Sequence, residues 1–276
     1  MTALSLSSFL FLHGLGDNAQ CFEDAQTMRF FQGAPCLIPN LPAHGIAHGI
    51  RQRKKRHSKG DMVYGDIEAY QGPYTLVAVA RWLSTSLQRH GHTHIHIVAH
   101  SMGGAIALLM AQRALQKKDG ITIGSLICAE GNLSPHDGKL ISRRAASYER
   151  EDFIHRRFPR LLERACTSDN PSTRRWGMAL KETRADAFHA YAQSTTRWSS
   201  SGQLYAFYKM MSSPTLYLYG AESEIEDNTR RLRHDGMPLH AIEGAGHFMM
   251  FEQRTLFWQA VMAFYQEHGI SSHHSL

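Results

Sequence analysis

The sequence predicts an α/β fold, in which a mostly parallel central sheet is covered by helices on both faces. Short apolar runs with strand character alternate along the chain with segments whose apolar residues recur at helical spacing. One stretch, residues 95–104, passes from an apolar strand through a sharp turn into a helix of small residues. Polar or turn-forming residues also follow the ends of predicted strands, where parallel sheets collect their chemistry. These residues are His13, Ser101, Glu130, Gly220 and His247.

The first half of the chain supplies three predicted strands and three predicted helices. Each strand is a short apolar run bounded by Gly, Pro or polar residues, and the three lie at 7–12, 36–39 and 94–99. The helices are expected at 21–31, from 74 to about 90, and at 103–115. The second helix has an apolar face with helical spacing, formed by Leu76, Val79, Ala80, Leu83 and Leu87.

The second half begins with a strand at 123–129 and then changes character. From Ser134 to Met211, consecutive helical segments rich in Arg and aromatic residues replace the alternation, and they are expected at 140–148, 152–165, 176–182 and 204–211. Strands resume at 214–220 and 238–242, and an amphipathic helix closes the chain. We therefore expect a core domain of residues 1–133 and 212–276, with residues 134–211 inserted as a helical lid.

The composition fits one globular domain of 276 residues with 43% hydrophobic content. No run of 18 apolar residues occurs, so no membrane span is expected. The N-terminus leads directly into the first strand and is interpreted as mature sequence. The four cysteines lack paired spacing, which favours free thiols, a reducing compartment and hence a cytoplasmic protein.

The formal net charge of +6 is concentrated in a basic run at residues 51–59. The run contains no acidic residue, and its basic residues are Arg51, Arg53, Lys54, Lys55, Arg56 and Lys59. Because no aromatic residues are interleaved with it, we interpret the run as a solvated loop and expect no nucleic-acid partner.

Ser101 lies where the chain reverses between the strand and the helix, which is the context of a nucleophile elbow. Its backbone must be strained so that the hydroxyl stands clear of the sheet. Ala99 and Gly103, two residues before and after it, must be small because the strand and the helix nearly touch there. A serine hydroxyl needs a base within hydrogen-bond reach. His247, on a Gly-rich loop after the last predicted strand, is the candidate base.

The sequence resembles the α/β-hydrolase family over nearly its whole length, both in a set of short motifs and in the order in which they occur. The motifs are His13-Gly14-Leu15-Gly16, Asn40-Leu41-Pro42-Ala43-His44-Gly45, Ala99-His100-Ser101-Met102-Gly103-Gly104, Pro214 to Gly220 and Gly244-Ala245-Gly246-His247-Phe248. The family's usual first two strands are not found, since the first motif begins at residue 13. The resemblance implies that residues 134–211 are the family's helical cap. It also implies an oxyanion hole formed by the backbone N–H groups of Leu15 and Met102.

The acid of the expected triad is less directly indicated. The family most often places it three residues after the glycine that ends the penultimate strand, but here that residue is Ser223. Glu222 and Glu224 flank Ser223 and are the alternatives if the loop is shifted. Some members of the fold place a Glu after the strand that follows the elbow helix, and Glu130 matches that position. We favour Glu130, with Glu222 next.

His92, His94 and His96 alternate on one predicted strand, but no acid or Cys joins them, so no metal site is predicted. The leading hypothesis is a cofactor-free serine hydrolase that cleaves a small or medium carboxylic ester or lactone through an acyl-enzyme at Ser101. Its expected partner is a small-molecule acyl substrate. Amide, thioester or carbon–carbon bond hydrolysis is an alternative, as is a catalytically silent scaffold that binds a small ligand. An apolar acyl pocket is expected from Tyr191, Trp198, Tyr205, Phe207, Tyr208, Phe248, Met249 and Met250.

Overall fold

The computed structural model describes residues 7–45, 70–135, 141–223 and 225–271. The basic run at 51–59 and the alternative acid Glu224 lie outside the described residues. No helix within the described ranges is long and apolar enough to cross a membrane.

Within the described residues, a six-stranded parallel sheet forms the centre of the molecule, with the strand order β2-β1-β3-β4-β5-β6. Its strands are β1 (Ser7–Leu12), β2 (Cys36–Leu37), β3 (His94–His100), β4 (Thr122–Ala129), β5 (Thr215–Gly220) and β6 (Leu239–Ile242). All six strands were predicted to within a few residues. Because the pairing is parallel throughout, their carboxyl ends meet at one edge of the sheet.

Helices cover both faces of the sheet and bury two separate apolar clusters. On β1, Leu10 and Leu12 belong to one cluster, and Phe9 and Phe11 belong to the other, as the two-residue repeat of a strand requires. The first cluster includes residues of α1 (Leu76–Arg89) and α2 (Met102–Leu115). The second includes residues of the closing helix, α11 (Arg254–Glu267). The predicted fold class is therefore confirmed.

Between β4 and β5 the described chain is helical. The helices are α3 (Ile141–Ala146), α4 (Arg150–Asp152), a π-helical turn (Phe153–Arg157), α5 (Phe158–Cys166), α6 (Pro171–Leu180), α7 (Ala185–Ser200) and α8 (Gln203–Lys209). Two further α-helices are described, α9 (Glu226–His234) after β5 and α10 (Met249–Glu252) before α11.

The predicted helix at 21–31 is wrong in type and length. The chain forms two 3₁₀-helices instead, Ala19–Gln26 and Arg29–Phe31, and Phe22 has non-helical backbone angles within the first of them. Phe22 and Phe31 are both buried in the second apolar cluster. Tertiary burial of these rings therefore outweighs the helical propensity of the segment.

Candidate active site

Ser101 stands between β3 and α2 with φ 52° and ψ −122°. A non-glycine residue with this positive φ is strained and must be held by its surroundings. One such restraint is the hydrogen bond from its backbone N–H to the carbonyl of Ala129, 2.9 Å away. The elbow is therefore tied to the end of the neighbouring strand, β4.

The small residues around Ser101 are required by contact between backbones. A Cβ on Gly103 would overlap the carbonyl oxygen of Leu12 and lie 2.8 Å from that of His13. A Cβ on Gly104 would lie 2.6 Å from the Cα of Gly131. The first turn of α2 therefore fits against the ends of β1 and β4 only without side chains at these positions.

Leu15 and Met102, the expected oxyanion-hole residues, line the same cavity as Ser101. Met102 is the first residue of α2, where backbone N–H groups have no partner within the helix. The loop of Leu15 is held by Trp176, whose Nε1 donates to the Leu15 carbonyl oxygen over 2.9 Å. These positions suit donors to a developing oxyanion.

His13 is a structural member of this loop. Its Nε2 accepts a hydrogen bond from the Leu41 N–H at 2.9 Å, so its Nδ1 carries the proton and donates to the Gly14 carbonyl at 2.8 Å. Burial, together with the neighbouring His44, holds the pKa of His13 well below its usual range. The ring therefore stays neutral and joins the first motif to the Asn40–Gly45 loop.

Glu130 and His247 form a short contact beneath the cavity. Glu130 Oε2 lies 2.6 Å from His247 Nδ1, and Glu130 Oε1 accepts the backbone N–H of Gly220 at 2.9 Å. The Glu130 side chain is 2% exposed, whereas that of His247 is 22% exposed. Glu130 follows β4 with φ 44°, so a strained backbone aims its carboxylate toward β5 and His247.

The pKa of Glu130 lies below its usual value. Burial is the largest single influence and raises this pKa, but the hydrogen bond and charge of His247, the Ser223 hydroxyl and the Gly220 N–H together outweigh it. The carboxylate therefore stays ionised beside the imidazole. Such an anion fixes the proton on Nδ1, so Nε2 carries no proton and has the lone pair that a base requires.

Glu222, the alternative acid that lies within the described residues, does not share this position. Glu222 is exposed, and among the described residues Glu130 is the carboxylate hydrogen-bonded to His247. The Ser223 hydroxyl is buried and close enough to influence Glu130. The contact expected of Glu130 is thus present, and its catalytic role stays a prediction.

His100 supports His247 from below. Its Nε2 lies 2.9 Å from the His247 carbonyl oxygen, and the centroids of the two rings are 4.6 Å apart. Burial, with the neighbouring His247, lowers the pKa of His100 to about 3, so the ring is neutral and its Nε2–H donates to that carbonyl. His100 therefore positions the loop that carries the candidate base.

The cavity above Ser101 has a volume of about 240 Å³. Its walls include Ile141, Trp176 and Thr195 from the helical segment, and Phe248 from the loop of His247. Most of the aromatic residues that were expected to line an acyl pocket do not line this cavity, because they pack into the interior. Tyr191, Tyr205 and Tyr208 are fully buried in the first apolar cluster. Of the eight expected residues, all of them described, Phe248 alone lines this cavity.

Asp17 is a cavity residue that sequence reasoning missed. It is almost completely buried, and its Oδ1 accepts the backbone N–H of Asn18 at 2.9 Å. Burial raises the pKa of Asp17 to about 7, although that N–H and the charges of Arg175 and His247 oppose the rise. Its place in the glycine motif was visible in the sequence, but its burial depends on packing that is distant along the chain.

The alternating histidines take separate partners on neighbouring strands. Hydrogen bonds join His92 to Ser8, His94 to Thr122 and His96 to Ser125, at 2.9, 3.0 and 2.9 Å. Within the described ranges, no group of three or more His, Cys, Asp or Glu side chains could hold a metal ion.

A model described as the alpha/beta hydrolase family matches residues 9–260. No curated protein matches the chain. Solved structures do match it. An esterase from Thermogutta terrifontis is 19% identical with a TM-score of 0.62, and the match covers 95% of this chain and 90% of that one.

Two further structural matches have similar extent. An esterase from Exiguobacterium antarcticum is 17% identical with a TM-score of 0.64, and the match covers 94% of this chain and 92% of that one. The N-acyl homoserine lactonase AidH, solved as a mutant complexed with N-hexanoyl homoserine lactone, is 12% identical with a TM-score of 0.61. That match covers 96% of this chain and 92% of the lactonase. At these identities the likeness concerns the fold.

Proposed function

The chain belongs to the α/β hydrolase family, and from this premise we propose that it cleaves a small or medium carboxylic ester or lactone through an acyl-enzyme at Ser101. The observation that carries the proposal is the 2.6 Å contact between the buried Glu130 carboxylate and the half-buried His247 ring. His247 and the strained Ser101 line one cavity, so base and nucleophile share one space. Esterases and a lactonase among the structural matches fit this reaction class.

In the proposed reaction, His247 removes the proton of the Ser101 hydroxyl as its oxygen attacks the acyl carbon. Glu130 remains ionised and stabilises the imidazolium that forms. The N–H groups of Leu15 and Met102 receive the negative oxygen of the tetrahedral intermediate. When the intermediate collapses, His247 returns the proton to the leaving alkoxide. Water then repeats the sequence on the acyl-enzyme and releases the carboxylic acid, so the proposed reaction requires no cofactor.

We further propose that residues 134–211 are a lid on the core formed by residues 1–133 and 212–276. Support comes from the cavity walls, since Ile141, Trp176 and Thr195 all belong to this helical segment. Lids exclude water and gate access to such sites. The four free thiols fit a reducing compartment, and we place the protein in the cytoplasm on that basis.

The alternative of a silent binding scaffold depended on the serine at position 223. With Glu130 in contact with His247, the site has a carboxylate without that position, and the alternative loses its support. Amide, thioester and carbon–carbon bond hydrolysis would use the same residues. Comparing nitrophenyl esters with matched anilides and thioesters would rank these reactions.

The decisive experiment is labelling with a fluorophosphonate, combined with hydrolysis of nitrophenyl esters of graded chain length. We expect Ser101→Ala to abolish labelling and to lower turnover on the order of a million-fold. Ser142→Ala is the matched control, because Ser142 lines the same cavity away from the elbow, and it should still be labelled. Labelling that persists in Ser101→Ala would identify another nucleophile. A folded wild-type protein that is neither labelled nor active would restore the binding-scaffold hypothesis.

A further inference from the structure

A second cavity, of about 450 Å³, lies within the helical segment and is lined by four arginines. We call it the arginine cavity, after Arg144, Arg157, Arg160 and Arg164. No acidic residue within the described part of the chain lines it. Its other walls are largely apolar and include Phe153, Leu161, Ala165 and Trp176. A concave site with cationic and apolar walls suits an anion carried on an apolar chain.

Much of this positive charge is not neutralised by the residues that the structure describes. Arg157 is paired with Asp152, its Nε lying 2.8 Å from the carboxylate. Arg144 has the Tyr148 hydroxyl at 3.4 Å from its Nε, which is a neutral partner. Arg160 and Arg164 are exposed and form no hydrogen bond or ion pair with the described residues.

The placement of these two arginines is unfavourable for the helix itself. Arg160 and Arg164 are four residues apart on α5, so they lie on the same side of the helix. Like charges at this spacing weaken a helix. Leu161 and Ala165 follow them one position later and line the same cavity, so this side of α5 faces the cavity. A bound anion would relieve the repulsion between the two charges.

The arginine cavity adjoins the cavity above Ser101. Ile141, Thr173 and Trp176 line both of them. Trp176 also donates to the Leu15 carbonyl, so the shared wall is fixed to the candidate oxyanion loop. The two cavities are therefore neighbours, and a molecule whose acyl carbon lies at Ser101 must extend past this wall to reach the arginines.

We propose that the arginine cavity binds the anionic end of the substrate, so that the cleaved ester or lactone carries a carboxylate or phosphate group on an apolar spacer. This inference rests on the proposed hydrolase function and names its substrate class. Guanidinium groups bind carboxylate and phosphate oxygens through paired hydrogen bonds, and the chemistry is shared by both anions.

The test compares esters that differ only in the charge of the far end. Nitrophenyl hexanoate and the mono-nitrophenyl ester of adipic acid have equal chain lengths, and the methylated adipate restores neutrality at nearly the same size. Shorter and longer dicarboxylate monoesters vary the spacer, and a terminal phosphonate distinguishes phosphate from carboxylate. At low salt we expect kcat/KM to favour the best anionic ester by roughly ten- to a hundredfold, mainly through KM.

The double variant Arg160→Gln/Arg164→Gln should bring the ratio of kcat/KM for the anionic ester to kcat/KM for the neutral ester toward one. Arg81→Gln/Arg143→Gln is the matched control, since it removes the same charge at exposed positions that line neither cavity, and it should keep the preference. Free adipate should inhibit hydrolysis of the neutral ester competitively in the wild type, which tests the site without any variant.

The outcomes separate the two proposals. If the neutral ester is cleaved in a Ser101-dependent way but no anionic ester is preferred and adipate does not inhibit, this inference is overturned while the hydrolase function stands. A preference retained by the Arg160/Arg164 variant would also overturn it, because the anion would then bind elsewhere. Absence of both labelling and hydrolysis would instead remove the proposed function.

Discussion

At the scale of single residues, the candidate acid Glu130 lies outside the loop position that the resemblance to the family would give it. Ser223 occupies the loop position after β5, and its hydroxyl lies near the Glu130 carboxylate that reaches His247 from the end of β4. Because position 223 lies beside the carboxylate that contacts His247, we expect a carboxylate placed there to reach the same imidazole. The consequence is that an acid moved back to position 223 should be able to replace Glu130.

Glu130→Gln tests this assignment directly. The amide oxygen can still accept the Gly220 N–H, but the NH₂ group would then face His247 Nδ1 and require it to accept. The proton moves to Nε2, and the ring can no longer act as a base toward Ser101. We expect turnover to fall by roughly four orders of magnitude, as for other triad acids, measured as kcat on a nitrophenyl ester.

The matched control is Glu222→Gln, which changes an exposed carboxylate in the neighbouring loop and should alter turnover little. Ser223→Asp added to Glu130→Gln should recover part of the lost activity. Equal losses in Glu130→Gln and Glu222→Gln would show that the acid had been assigned wrongly.

At the scale of elements, what could be predicted depended on how local the signal was. The strands were predicted well because each contains a short run rich in apolar residues between turn or polar residues, and β3 with α2 also carries the elbow spacing. Helix α7 was not predicted. Its buried face includes polar and small residues such as His189, Thr195 and Ser199, so its sequence lacks a clear apolar stripe.

The same distinction holds within the candidate site. Glu130 and His247 drew attention as polar residues after strand ends, where parallel topology brings distant residues together. The role expected of Glu130 came from the resemblance to members of the fold that place a Glu there. The arginine cavity and the role of Trp176 were not predicted, because both depend on how helices α3 to α6 pack against one another. Such packing leaves no periodic signal in the sequence.

For a side chain added at Gly103 in α2, helix propensity and steric contact predict opposite effects on stability. Ala is a better helix former than Gly by about 1 kcal/mol, so propensity alone would make Gly103→Ala stabilising. However, the added Cβ would overlap the Leu12 carbonyl oxygen, which belongs to rigid backbone. We expect the steric effect to dominate and the free energy of unfolding, measured in urea, to fall by about 3 kcal/mol.

Gly236→Ala is a useful comparison for Gly103→Ala. Gly236 has φ 66° and open space around it, so the substitution should cost only about 1 kcal/mol of backbone strain. If Gly103→Ala proved stabilising, the close approach of α2 to β1 would be contradicted. Slower fluorophosphonate labelling of Gly103→Ala would link the same contact to the geometry of Ser101.

At the scale of the whole molecule, the candidate site lies where the sheet edge, the glycine loop and the helical segment meet. This junction buries groups that the separate parts would leave in water. Asp17 is the clearest case, since its carboxyl lies in the loop after β1 and lines the cavity whose far wall is the helical segment. Its ionisation is therefore a property of the assembled fold.

Asp17 should make the stability of the molecule fall as the pH rises. Burial raises its pKa from the usual value of 3.8 to about 7, so between these values the folded state binds a proton that the unfolded chain has released. The contribution of Asp17 to the free energy of unfolding is then fully present below about pH 4 and declines until about pH 7, by up to roughly 4 kcal/mol. Asp17→Asn keeps an oxygen for the Asn18 N–H and cannot ionise, so its advantage over the wild type in free energy of unfolding should grow across this window.

Asp169→Asn, at an exposed position, is the control for loss of a charge. Urea unfolding at intervals from about pH 4 to pH 8 measures the difference, and parallel curves for the wild type and Asp17→Asn would mean that Asp17 is ionised throughout.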